Sequence, residues 1–183
     1  MTSTYLRPLL ILLCLFSPAL AQEPQLPVVR NQFPRLPPGI PPASIPGSPD
    51  EETWWAELRT HGEQVRNRKG GDKAKKRFAE LLTEAHTKSF AVPIENRGPI
   101  FLYRAMPRYT EEARLRLISG TITLEVEFLA NGTVGMVRPL TRLGAGLEEN
   151  AESTARQFIF LPAVKDRKFV NFKTRVVMSF NIY

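Results

Sequence analysis

From residue 121 to residue 128 the chain alternates without a break, with Ile122, Leu124, Val126 and Phe128 set between Thr121, Thr123, Glu125 and Glu127. A period of two marks a strand with one buried and one wet face, so it fixes the inner side of a sheet before anything else about the fold is known. Asn131-Gly132 follows, a pair that readily takes the two positive φ angles of a type I′ turn. The chain is therefore predicted to double back through Val134, Met136 and Leu140. Asn131-Gly132-Thr133 also fits a glycosylation acceptor, but the turn accounts for it. Pro139 has no N–H to donate, so it ends regular pairing or sits on an edge strand. A second alternation closes the chain: Phe172, Val176, Met178, Phe180 and Ile182 against Lys173, Arg175, Ser179 and Asn181. That is a half-buried final strand.

Helices are predicted on either side of the hairpin. Thr110 is placed to cap a helix whose first turn carries Glu111 and Glu112, which suits the positive end of the helix dipole; Gly120 is placed to close it, and Ala113 and Leu117 then share a face. In the second helix Leu147, Ala151, Ala155 and Phe158 form one apolar stripe, Glu148, Glu149 and Glu152 occupy the early turns, and Pro162 is the stop. Three amphipathic strands and two amphipathic helices bury one face each most economically as an α+β unit, a small antiparallel three-stranded sheet with both helices on one face.

These residues also resemble, as a string, the C-terminal domain of the TonB family. The resemblance runs over about residues 99–183. It is carried by a proline-aromatic start at Pro107 and Tyr109, Glu-Glu-Ala-Arg at 111–114, Gly-Thr-Ile at 120–122, Phe-Ile-Phe-Leu-Pro-Ala at 158–163, and a charged turn before the last strand. Two positions depart from it. Thr110 stands where the family often has proline, and Lys165-Asp166-Arg167-Lys168 lacks the glycine usual after the aspartate, which suggests a turn of another type.

The resemblance implies a function. In that family the domain recognises a short extended segment of an outer-membrane transporter by adding it as a strand beside the domain's last strand. The backbone groups of an exposed edge supply affinity in this mode, and alternate side chains supply selectivity. Carried onto this chain, the partner-binding edge is Lys173, Thr174, Arg175, Val176, Val177, Met178, Ser179, Phe180 and Asn181. Lys173 and Arg175 would face solvent, either steering an acidic peptide or only guarding the edge from aggregation. Tyr109 is either a packed staple or a contact.

The start of the chain bears on location. Arg7, an apolar run from Leu9 to Phe16, Pro18 and the small-residue ending Ala19-Leu20-Ala21 have the layout of a secretory signal peptide over 1–21, cleaved after Ala21. The alternative is a retained inner-membrane anchor, against which stands the shortness of the run compared with the ~20 residues of a spanning helix. The single cysteine, Cys14, lies in this segment, so the exported chain has neither a disulfide nor a thiol nucleophile. Residues 22–49 carry nine prolines and are predicted to be a disordered, polyproline-like linker reaching on the order of 90 Å at ~3.1 Å per residue. Residues 50–90 are predicted to be a helical hairpin: Trp54, Leu58, His61 and Val65 share one face, Gly70-Gly71 breaks the chain, and Phe78, Leu81, Leu82 and Ala85 share another. Arg66, Arg68, Lys69, Lys73, Lys75, Lys76 and Arg77 crowd its turn, where they contact anionic headgroups or cell-wall polymer or are simply solvated; export argues against nucleic acid.

Chemistry finds little support. His61 and His86 are the only histidines and have no cysteine or carboxylate at metal-ligand spacing, and no nucleophile elbow or phosphate-binding loop occurs. Glu125 and Glu127 share a wet strand face, without an apolar pocket to tune either for hydrolysis. The sequence therefore reads as a non-enzyme without cofactor or metal. It is expected to be a periplasmic binding module for an outer-membrane TonB-dependent receptor, with inner-membrane motor proteins as further partners if the N-terminus is retained. A homodimer is compatible with the sequence. The alternative is an exported envelope adaptor that pairs with itself or the cell wall without transducing energy.

Overall fold

A computed structural model describes residues 28–30 and 39–182. The signal segment expected at 1–21, with Cys14, and the proline-rich residues 22–27 and 31–38 lie outside the described residues. In chain order the elements are β1 (Val28–Arg30), α1 (Pro49–Arg66), α2 (Gly71–Lys88), β2 (Ile100–Tyr103), α3 (Glu111–Leu115), β3 (Gly120–Phe128), β4 (Val134–Pro139), α4 (Leu147–Ala155), β5 (Ile159–Leu161), β6 (Ala163–Lys165), β7 (Lys168–Val170) and β8 (Phe172–Phe180).

The α+β architecture is as expected, with β8, β3 and β4 forming an antiparallel three-stranded sheet. Ile122, Leu124, Val126 and Phe128 are all fully buried, as the alternation requires. They meet Val176, Met178 and Phe180 of β8, Ala113 of α3, and Leu147, Ala151 and Ala155 of α4 in one core. The outer face of the sheet carries Thr121, Thr123 and the charges. Thr110 caps α3 by accepting from the Ala113 N–H at 3.1 Å, and its own hydroxyl donates to the Ala145 carbonyl at 2.6 Å.

Local details differ from the sequence expectation. The hairpin loop is not a two-residue type I′ turn. Only Gly132 has positive φ (84°), the Gly132 N–H donates to Leu129 O and the Leu129 N–H to Thr133 O, which makes a three-residue loop with glycine at its left-handed position. A bulge follows: Val134 pairs with Phe128, yet Val137 pairs with Val126, so β4 holds one extra residue. That residue flips the parity of the strand, burying Val137 while leaving Met136 and Leu140 about 40% exposed. Helix α3 stops at Leu115, before Gly120. The Ile118 N–H donates to Ala113 O and the Leu117 N–H to Arg114 O, the paired bonds of a Schellman end, with Leu117 rather than glycine in the left-handed position (φ 50°) and 72% exposed. Gly120 instead begins β3, where an added Cβ would lie 2.8 Å from Leu143. Helix α4 ends at Ala155. Phe158 is buried just beyond it, so Pro162 is not the stop. Asp166 and Arg167 both have positive φ (50° and 58°), giving the β6–β7 hairpin the type I′ geometry of an Asp-Gly turn without the glycine. Ile182 is exposed.

A second core lies under the helical pair. Ser48 and Glu51 form a reciprocal capping box with Pro49 at the first helical position. The second Glu51 oxygen accepts from the Ala91 N–H at 2.9 Å, so one carboxylate ties the start of α1 to the exit of α2. Those backbone N–H donors from Ser48 and Ala91 hold the Glu51 carboxyl below its ordinary range. Trp54 Nε1 donates to Leu81 O at 2.9 Å across the pair, and Leu58, Val65, Phe78, Leu81 and Leu82 are buried between the helices and the remaining strands.

The two cores share a wall. Strand β2 pairs with β5; Ile100 and Leu102 face the helical core, while Phe101, between them, packs edge-on against Phe128 at 5.1 Å in the sheet core. On β5, Phe160 faces the sheet and Leu161 faces the helices. Residues 39–48 are also docked rather than extended into solvent. Ile40 is buried against α1 and α2, and the Ser44 N–H donates to Pro93 O at 2.7 Å. Gly62 makes room for Ile40: a Cβ there would come within 2.3 Å of Ile40 Cδ1.

Candidate functional site

Strand β8 pairs with β3 over its whole length, from Phe172 opposite Phe128 to Phe180 opposite Gly120, with no bulge and no proline. Such a strand keeps a regular row of N–H and C=O groups on its far side. Eight of the nine residues named from the sequence lie on it, and Asn181 follows its end. Thr174, Val176, Met178 and Phe180 point inward and are buried; Lys173 and Ser179 are exposed, and Arg175 and Val177 are half-buried. An incoming backbone on this edge would therefore meet a strand clamped by its own side chains. Tyr109 holds one end of it, its ring standing edge-on to Phe180 at 5.5 Å, and burial pushes the Tyr109 hydroxyl pKa up.

The charges of the outer face are laid in register. Arg175 lies opposite Glu125 and Lys173 opposite Glu127, while Arg138 on β4 reaches Glu125 at 3.1 Å from the other side. Opposite charges facing each other across strands stabilise a sheet and neutralise its face.

The edge is occupied over part of its length. Val28, Val29 and Arg30 pair in parallel with Arg175, Val176 and Val177, which makes a fourth strand in the order β1-β8-β3-β4. Sequence reasoning missed this strand because prolines surround it. The signal was Val28-Val29, an adjacent β-branched pair in a stretch otherwise poor in strand formers.

The other sites weighed from sequence are mostly consumed internally. In the basic turn, Arg77 binds Glu57 at 2.8 Å, Arg66 binds Glu63 at 3.3 Å, and Lys75 binds Asp72 at 3.0 Å. His61 Nδ1 lies 3.1 Å from Gln64 Oε1. Among the described residues no three His, Cys, Asp or Glu side chains converge on a point where an ion would fit. No helix among them is long and apolar enough to cross a membrane.

A comparison with curated proteins found no match. Comparison with protein families did: residues 105–182 match the family described as Gram-negative bacterial TonB protein C-terminal, a family of envelope-associated interaction domains of the energy-transducer type rather than of enzymes. The match begins two residues before Pro107 and runs past the end of β8, so the clamped strand, its edge and the helices beneath it all fall inside it, and this part of the chain belongs to the TonB C-terminal family.

Proposed function

We propose that this protein is a periplasmic TonB-type binding module that engages the extended, periplasm-facing segment of an outer-membrane TonB-dependent receptor by strand addition to β8, over Lys173–Asn181. The observation that carries this reading is the straight, unbulged β8 edge inside the TonB C-terminal segment, already seating a strand at Arg175–Val177. Export by a signal peptide over 1–21 belongs to the same reading. Lys173 and Arg175 face carboxylates in register, which favours a role in solvating and guarding the edge over one in steering an acidic peptide.

The test is a titration of the isotope-labelled protein with a synthetic peptide copying the periplasmic N-terminal segment of a TonB-dependent transporter. The expected result is amide shifts concentrated in 173–181 and abolished by Val177→Pro. Shifts confined to β4 or the helical pair would overturn the assignment.

A second reading, an exported adaptor that pairs with a copy of itself, is favoured by one observation: the strand seated on the edge comes from this same chain. Sedimentation separates the two, since self-pairing between copies requires a dimer.

A further inference from the structure

The strand on the β8 edge is the chain's own, and it lies on residues proposed above as the receptor site. We propose that Val28–Arg30 is the resident occupant of that edge, so that the domain binds partners by strand exchange: a parallel, β-branched segment of the partner displaces a parallel, β-branched segment of the tether. The inference rests on the strand-addition reading and adds to it an occupant, a direction and a competition.

Three features support it. The pairing is in register over three consecutive residues, Val28 with Arg175, Val29 with Val176 and Arg30 with Val177. The segment is held close, because only eight residues separate Arg30 from Gly39, and the next residue, Ile40, is buried in the helical core against Gly62 and Phe78. A strand on so short a leash has an effective concentration in the ~mM range or above, where even weak pairing is populated. The pairing is also short. β1 spans three residues while β8 offers nine, so a partner that uses the whole edge makes more backbone bonds than the strand it evicts.

The chemistry of the ligand follows from that of the occupant. It is an extended peptide with adjacent β-branched residues, running parallel to β8. Receptors carrying such a segment would compete with the tether, and peptides too short to pair beyond Arg175–Val177 would compete poorly.

The test uses the full chain and two variants, Val28→Pro with Val29→Pro, and replacement of residues 28–30 by Gly-Ser-Gly; the second guards against misfolding in the first. If β1 holds the edge about nine-tenths of the time, apparent affinity for a competing strand falls about tenfold. Amides of Arg175–Val177 that face away from β3 should therefore exchange with solvent about tenfold faster in both variants, with those facing β3 unchanged. A synthetic peptide copying residues 26–31 should bind both variants about tenfold more tightly than the parent. Equal exchange rates and equal affinities in all three proteins would overturn the proposal. Protection that rises with protein concentration would overturn its intramolecular form and assign the strand to a second copy. The two readings fail separately: the exchange comparison needs no receptor, and a transporter peptide that shifts β8 in the variants upholds the receptor reading even where exchange rates do not change.

Discussion

The sheet has two flanks that began with the same problem and solved it differently. On the β4 flank three devices that discourage strand addition are present. The strand is six residues long, carries a bulge and ends at Pro139. Beyond it Thr141 takes over: its hydroxyl accepts from the Thr123 N–H at 2.8 Å and donates to Thr121 O at 3.2 Å, so a side chain finishes the edge of β3. Arg156 donates to Gly135 O at 3.1 Å and satisfies the bulge. On the β8 flank none of these devices occurs over nine residues, and the edge is covered instead by three residues of backbone. One flank is closed by its own side chains and the other by a removable strand, which is how a sheet keeps one side available without leaving it bare.

Proline is the most forceful way to break this contrast. Val177→Pro should destabilise the domain by about 3 kcal/mol, because β8 is paired on both sides and loses a ladder bond whichever way that N–H points. Met136→Pro, at the bulge of β4, should cost under about 1 kcal/mol. Chemical denaturation of both variants checks the pair, and equal losses would erase the distinction between the flanks.

Next in size is the anchor of the tether. Ile40→Ala should cost about 2–3 kcal/mol, since Ile40 is 4% exposed and fills a slot between two helices. It should also speed exchange at the outward amides of Arg175–Val177 while leaving Thr123 protected, a difference that hydrogen exchange reads directly.

On the opposite flank, Glu148 holds the loop that carries Thr141, accepting from the N–H groups of Leu143 and of Gly144, the latter at 2.8 Å. Burial pushes its carboxyl up, but these donors and nearby Arg142 outweigh burial and bring it below the ordinary value of 4.5. The unfolded chain therefore takes up the proton first as pH falls. The contribution of Glu148 is fully present above about pH 4.5 and is lost below it, as pH drops through the folded value. Glu148→Gln should cost about 1–2 kcal/mol at pH 7 and flatten that acid-side slope, measured as midpoint against pH.

The smallest effect is expected where the flanks meet on the outer face. Glu125→Gln removes the carboxylate between Arg138 and Arg175 and should cost about 0.5 kcal/mol, diminishing with added salt because Arg138 is 61% exposed.

Much of the sheet was legible in the sequence, because β3 and β8 each face one core and water, which is the condition for alternation. The three inner residues of β8 that belong to the sheet core were read correctly for that reason. Strands β2 and β5 were missed because they face a core on both sides: Ile100, Phe101 and Leu102 are all buried, and a strand buried on two faces shows a run instead of a period. The β4 face was misread because a single extra residue reverses parity, and its one signal, Gly135 inside the strand, was not taken as a bulge. The turn at 165–168 was expected but not its type, because the second of its positive φ angles falls on Arg167 where glycine is usual, held there by the Asn96 side chain on the Asp166 N–H and by the Arg167 carbonyl accepting from Val92. The candidate edge was visible as a strand, but its occupant was not, since Val28-Val29 is too short to rise above its prolines.

Phe101 separates two meanings of the word domain. The span of shared ancestry opens at residue 105, but the aromatic cluster of Phe128, Phe158 and Phe160 is completed by Phe101, four residues earlier, on a strand whose other face belongs to the helices. A fragment cut at the inherited boundary keeps every matched residue and loses Phe101 from the centre of that cluster. The matched span of this protein and the core it packs into have different first residues, and the core reaches back through β2 to the helical pair.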